Sequence, residues 1–349
     1  MNQGHVADFG KRRQTQALLA AFLLIAAAGC AGQTVRAPAA VAPVGDPRRG
    51  EYLTAIFACQ ECHTLRQPDG VHLDRRLLFA GGIPFKGAWG LVHTANVTVS
   101  AGQFPAPVLE SAIRGRLSFK FQMPTDLYSA MAADDMRDVV AYLKTLDPVP
   151  RSLPENRFES GYLTPEPVPD GPVPERAPLP GTPERGRYLA RLAICQDCHS
   201  PRMPDGRRPG EPGSAAAHYD QERLFGGGGL AFRFADGRWL IPPNLTPDPE
   251  TGLGRWSEAD MVKAIRTGAT PDGRQLNPMM PYLVAFHDMT DQDVLDIVRF
   301  LRSLKPVKAR WPRNPRYVAT EPPPDCCFVP PLAPAGARVA LLDHRGDRP

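Results

Sequence analysis

The sequence predicts an all-α chain made of two tandem domains joined by a proline-rich linker. Three observations predict it. The stretch RGEYLTAIFACQECHTLRQPDG at 49–70 recurs as RGRYLARLAICQDCHSPRMPDG at 185–206, a constant offset of 136 residues. Apolar residues recur at helical spacing in both copies, at matching places. Residues 147–184 hold eleven of the 40 prolines and read as a semi-rigid extended connector. A repeat at this distance implies duplicated domains, because solenoid repeats run about 20–50 residues. A chain of 349 residues is long enough for both.

The similarity continues past the opening motif at a drifting offset. Leu78-Phe79 is matched by Leu224-Phe225, Asn96-Val97-Thr98 by Asn244-Leu245-Thr246, and Ala112-Ile113-Arg114 by Ala264-Ile265-Arg266. Met123-Pro124 is matched by Met280-Pro281, and Tyr142-Leu143 by Phe300-Leu301. The drift from 136 to 158 residues gives the second copy longer loops on the same plan. The domains are placed at 48–146 and 185–305, followed by a tail over 306–349 with ten more prolines. That tail either drapes over the second domain or stays mobile.

Within each copy the elements follow in order. The first helix carries Leu53, Ile56 and Phe57 in one copy and Leu189, Leu192 and Ala193 in the other. A middle helix follows; in the second copy Ser257 with Asp260 forms its cap and Gly268 ends it. The last helix places Met136, Val139, Val140 and Leu143 at i, i+3, i+4 and i+7, matched by Val294, Ile297, Val298 and Leu301. Thr290 with Asp293 caps the second of these. A hairpin is expected from Phe232 to Ile241, turning at Asp236-Gly237, and no other strand pattern stands out. About 40 aperiodic residues separate the opening motif from the middle helix, too many for an ordinary loop unless it wraps a large bound group. Aromatics at 8% are thin for two cores, which points the same way.

The N-terminal residues 1–29 read as an export signal. Lys11-Arg12-Arg13 precede an apolar run from Ala17 to Gly29, shorter than the roughly 20 residues a membrane span needs. Ala27-Ala28-Gly29-Cys30 looks like a lipoprotein cleavage box, with Cys30 lipidated. The expected location is the bacterial periplasm, anchored to the membrane surface. Beyond residue 29 the chain carries 38 basic and 36 acidic residues, which excludes a nucleic-acid partner.

The chemistry is concentrated in Cys59-Gln60-Glu61-Cys62-His63 and Cys195-Gln196-Asp197-Cys198-His199. Two cysteines three residues apart leave one helical turn on one side, where each thiol can add to a vinyl group of haem. His63 or His199 then stands under the iron as axial ligand. A thioredoxin-type CxxC needs a βαβ setting, and a zinc site pairs its CxxC motifs across about 15–20 residues. Neither fits here, nor explains the histidines. Met123 and Met280 share a Met-Pro context ahead of the last helix and are the candidate sixth ligands, with Met279 a rival to the latter. A thioether ligand raises the haem potential and closes the iron to outside ligands. His72, His93 and His287 are alternative sixth ligands, but none has a counterpart in the other copy, and they read as surface histidines or as neighbours of the ligands. Asn96 and Asn244 match a glycosylation sequon, but their parallel placement points to loop capping or contact with the haem edge. Trp89, Trp239 and Trp256 either bond propionates or pack. Cys326 and Cys327 receive no assignment.

On these residues the chain resembles two-haem, class I-like cytochrome c proteins. It is most similar to the membrane-associated cytochrome subunits of bacterial alcohol, aldehyde and gluconate dehydrogenases. The phrases carrying this are RGEYL, CQECHT, AGG, NLTPDPETGLGRWSEADMVKAIRTG, PDGRQLNPMMPY and MTDQDVLDIVRFLRSL. Those subunits typically carry three CxxCH motifs; here there are two. The resemblance implies two covalently bound haem c groups, on Cys59, Cys62, His63 and Met123 and on Cys195, Cys198, His199 and Met280. It implies an electron carrier rather than an enzyme, passing electrons from a periplasmic dehydrogenase to a soluble cytochrome or terminal oxidase. The alternative is a di-haem cytochrome c peroxidase-like enzyme, which needs one iron with an open distal site; the matched methionines argue against it.

Overall fold

The computed structural model describes residues 45–68, 72–87, 90–117, 123–160, 171–201, 219–229, 232–233, 239–311 and 318–319. The export signal, Cys30, Trp89, the Asp236-Gly237 turn, Cys326 and Cys327 lie outside them. The first half runs α1 (Pro47–Ile56), α2 (Cys59–His63), β1 (Pro84–Gly87), β2 (Gly90–His93), α3 (Val97–Gln103), α4 (Ala106–Ile113), α5 (Thr125–Tyr128), α6 (Ala133–Leu143) and β3 (Arg157–Phe158). The second runs α7 (Pro183–Leu192), α8 (Cys195–His199), β4 (Phe232–Arg233), β5 (Trp239–Leu240), α9 (Glu258–Thr267), α10 (Asp291–Ser303) and β6 (Val318–Ala319). Short 3-10 turns at Arg75–Leu77 and Gln221–Arg223 occupy matching places in the two halves.

Each half is organised around one helix crossing, α1 on α6 and α7 on α10. Proline at the first turn and a capping side chain start both entry helices, Asp46 accepting from Arg48 N–H and Thr182 from Arg185 N–H. The helices meet through glycine. A Cβ on Gly50 would overlap the carbonyl oxygen of Asp138, and a Cβ on Gly186 that of Asp296. With backbone against backbone, Leu53, Ile56 and Phe57 bury completely against Met136 and Val139; Leu189 and Leu192 do the same against Val294 and Val298. The helical spacing read along both last helices is thus their core face.

The expected caps are present. Ser257 and Asp260 form a reciprocal capping box on α9, Gly268 closes it at φ +71°, and Thr290 caps α10 through Asp293 N–H. In the first half the segment after Asn96 is helical, α3, whereas after Asn244 it turns. Pro247 and Pro249 explain the difference, since neither can donate to a helical ladder.

Among the described residues the regular structure is mostly helical, and the all-α expectation is corrected by two small antiparallel sheets, β1-β2-β3 and β4-β5-β6. Only β4 and β5 fall within the expected hairpin. The linker supplies β3 and the tail supplies β6, each on the sheet of its own half. Linker and tail also strap their halves directly. Val149 N–H donates to Thr98 Oγ1 at 3.0 Å, and Val307 N–H donates to Thr246 Oγ1 at 3.0 Å.

The halves pack against each other with a reciprocal pattern. Tyr52 Oη donates to Asp293 Oδ2 at 2.6 Å and accepts from Thr290 N–H at 3.1 Å. Tyr188 Oη donates to Asp135 Oδ2 at 2.7 Å and accepts from Ala132 N–H at 3.0 Å. Each carboxylate spends its other oxygen on an arginine of its own half, Arg185 for Asp293 and Arg49 for Asp135. Equivalent residues thus exchange equivalent bonds, as across a two-fold interface.

Candidate haem-binding sites

Helices α2 and α8 are single turns that bring both cysteines of each motif to one side. Each is preceded by a non-glycine residue in the left-handed region, Ala58 at φ 59° and Ile194 at φ 54°. That conformation costs about 1–2 kcal/mol for an L-residue and persists where the surroundings over-determine it. Here it reverses the chain at the end of α1 and α7.

Burial disfavours the thiolate form at three of the four thiols. Burial pushes Cys59, Cys62 and Cys195 each up to about 12, with Cys62 adding to the shift on Cys59 and Glu61 to that on Cys62. Exchange cysteines need the opposite, a depressed pKa beside positive charge or a helix N-terminus.

The two histidines are buried, 9% and 8% exposed, and burial holds both pKa values down, His199 to about 4. Nδ1 of His63 lies 3.0 Å from the carbonyl oxygen of Ala95, and Nδ1 of His199 lies 2.8 Å from that of Pro243. A carbonyl can only accept, so each ring carries its proton on Nδ1 and keeps a lone pair on Nε2. This is the tautomer a metal-binding histidine needs, with its outer hydrogen bond already made.

The segments presenting those carbonyls are built alike. Gly81 N–H donates to the His63 carbonyl and Gly227 N–H to the His199 carbonyl, each at 2.8 Å. Phe79 and Phe225, both at φ 59°, donate their N–H to Thr64 Oγ1 and Ser200 Oγ at 3.0 Å. Just beyond Ala95 and Pro243 stand Asn96 and Asn244, buried to 8% and 1% exposure. Asn96 Nδ2 donates to the Val149 carbonyl at 2.9 Å, and Asn244 Nδ2 to the Val307 carbonyl at 2.7 Å. Both side-chain oxygens accept from the threonine hydroxyl two residues on. The sequon reading therefore gives way to capping.

Met123 and Met280 occupy matching turns. Thr125 N–H donates to the Met123 carbonyl at 2.6 Å, and Tyr282 N–H to the Met280 carbonyl at 2.7 Å. Both side chains are half-buried against the core, whereas Met279 is absent from that packing. The first of these segments reaches its motif through Tyr128, whose hydroxyl donates to the Phe57 carbonyl at 2.8 Å. Burial holds the Tyr128 phenol well above its usual value, aided by Cys59 and Cys62.

Of the remaining candidates, His72 and His287 are exposed and His93 is half-buried on β2. Trp256 packs on the core of the second half. Trp311, in the tail, is a residue that the sequence does not single out. Its indole N–H donates to the Gly226 carbonyl at 2.8 Å, closing the strap over the second histidine loop. Burial, with a smaller contribution from Asp197 inside the second CxxCH, raises the pKa values of Cys62 and Tyr128 in the first half.

The donor sets suit haem c: a cysteine pair on one turn and a preset imidazole, twice over. Comparison with known proteins points to cytochrome c for the second half. Residues 183–305 match the cytochrome c family. The chain is 27% identical over 307 residues to the fructose dehydrogenase cytochrome subunit of Gluconobacter japonicus, covering 80% of this chain and 57% of that protein. It is 29% identical over 312 residues to the cytochrome c subunit of a quinone alcohol dehydrogenase from Komagataeibacter europaeus, covering 82% and 61%. It is 26% identical over 319 residues to a diheme cytochrome c-type protein of Cereibacter sphaeroides, covering 84% and 99%. The chain thus spans somewhat over half the length of the two dehydrogenase subunits.

Proposed function

We propose that this chain, which contains a cytochrome c domain and resembles the cytochrome c subunits of bacterial dehydrogenases, is a two-haem electron carrier. Cys59 and Cys62 would hold one haem c and Cys195 and Cys198 the other. His63 with Met123, and His199 with Met280, would hold the irons. The observation that carries this is the duplicated imidazole geometry, with Nδ1 of each histidine bonded to a backbone carbonyl in both halves. Bound haem supplies a reversible one-electron iron couple. The residues would do the rest: the cysteines would hold the group in place, the carbonyl bonds orient the imidazoles, and the methionines would exclude outside ligands. One electron enters from a dehydrogenase and one leaves to a soluble cytochrome or terminal oxidase. The chain works in the periplasm, held at the membrane through lipid on Cys30.

Expression in cells competent for cytochrome c maturation tests this. Two haems per chain are expected by pyridine haemochrome, falling to one in Cys195→Ser/Cys198→Ser. Both irons are expected to be low-spin and to refuse carbon monoxide, while Met280→Ala opens one of them. A colourless product sinks the haem reading altogether, and peroxide turnover by the unaltered protein replaces the carrier with the peroxidase-like enzyme.

A further inference from the structure

Two tyrosines at the contact between the halves are not among the proposed haem ligands, yet their bonds are made twice with partners at equivalent positions. Tyr52 and Tyr188 stand at equivalent positions of α1 and α7, and Asp293 and Asp135 at equivalent positions of α10 and α6. The carboxylates are 5% and 0% exposed, so neither bond is a solvated surface contact. Each carboxylate is shared between an arginine of its own half and the tyrosine of the other. Rotation or sliding of one half would break both hydroxyl bonds and expose both buried carboxylates. The edge-on contact of Phe57 with Tyr188, ring centres 6.4 Å apart, ties the same tyrosine to the residue preceding Ala58 and Cys59.

We propose that Tyr52 and Tyr188 are positioning residues for the two haem sites, setting the spacing across which the charge on one site shifts the midpoint potential of the other. This rests on the two-haem reading above. Coulomb energy falls with distance and is larger across packed protein than across water, so a site pair held at fixed close range titrates as a coupled pair. The placement of the motifs fits: Arg191, four residues before Cys195, donates to the carbonyl of Asp126, three residues after Met123, at 2.6 Å. Their hydroxyls bond to Asp293, Thr290, Asp135 and Ala132, none of them a proposed ligand, so the hydroxyls act through the docking of the halves.

The test uses the two-haem protein and Tyr52→Phe/Tyr188→Phe, which keeps both rings and removes only the hydroxyls. The first site's midpoint is measured with the second site loaded and with it emptied by Cys195→Ser/Cys198→Ser. A shift between the two states is expected in the natural background, and a smaller shift in the double-Phe background. Spin–spin broadening in the electron paramagnetic resonance spectrum of the fully oxidised two-haem proteins reads the spacing without any emptied site. It is expected to weaken in the double-Phe variant. An equal midpoint shift in both backgrounds, or unchanged broadening, overturns the proposal, as does a natural protein showing neither. Failure of the two-haem reading would declare itself earlier, as missing haem absorbance.

Discussion

Gly186→Ala is expected to destabilise the second half by about 3 kcal/mol, read as an earlier thermal transition of its haem absorbance. Alanine is the better helix former by about 1 kcal/mol, so propensity alone predicts the opposite sign. The crossing decides. A Cβ at 186 would overlap the Asp296 carbonyl and crowd the Phe300 Cβ, and backbone cannot swing aside as a rotamer can. The helices must separate, loosening the contact that buries Leu189, Leu192, Val294 and Val298. Gly50→Ala is expected to do the same at the Asp138 carbonyl. Gly102, in α3, has nothing within 4 Å of such a Cβ, and Gly102→Ala is expected to be neutral or stabilising by up to about 1 kcal/mol. Equal destabilisation at 102 and 186 would refute the crossing argument.

The second large effect is expected at Asn244. Its amide donates to Val307 and to Thr251 Oγ1 at 3.1 Å, and its oxygen accepts from Thr246 N–H at 2.9 Å and Oγ1 at 2.7 Å. All four bonds lie at a site 1% exposed. Asn244→Ala removes them together and strands buried partners that cost about 1–3 kcal/mol each, some of which re-pair: Thr251 Oγ1 still reaches Asp248 Oδ1 at 2.8 Å. A net loss of about 3 kcal/mol is expected in chemical denaturation. The preceding residue supplies the carbonyl that orients His199, so the visible spectrum of the second haem is expected to shift as well. Asn96→Ala, with one backbone carbonyl tether and weaker capping at 3.4 Å to Val99, is expected to cost less. Stability lost with the spectrum unmoved would separate the cap from the histidine.

Much of this was legible in the sequence because periodicity and repetition report directly on burial. Leu53, Ile56 and Phe57, and the matching apolar rows of the last helices, read as helical faces and are core. The Asn-x-Thr pair was readable as capping because it occurs twice at matching depth. The strands were not readable, since β1 and β2 have four residues each and β3 to β6 only two, too few for an alternation to register. The residues that support each CxxCH turn were hidden for another reason. Ala58, Ile194, Phe79 and Phe225 adopt the left-handed region that glycine usually announces, and here no glycine does. The interface tyrosines lie on amphipathic helices where an aromatic suggests core, and only the fold shows that their hydroxyls cross to the other half. Trp311 sits in a proline-rich stretch read as either draped over the second domain or mobile, and composition does not say which of its residues makes a contact.

The straps have a practical consequence for anyone dissecting this molecule. A fragment ended where α6 or α10 stops would lack Val149 or Val307, and with it the acceptor of a buried asparagine amide and the donor to its threonine. An excised half is self-sufficient only if it keeps the first stretch of chain beyond its last helix. For one half that means through Arg151, which donates to the Gly81 carbonyl at 3.2 Å, and for the other through Trp311. Cut shorter, either piece would expose the loop that aims its histidine, and a failure to mature would say more about the scissors than about the site.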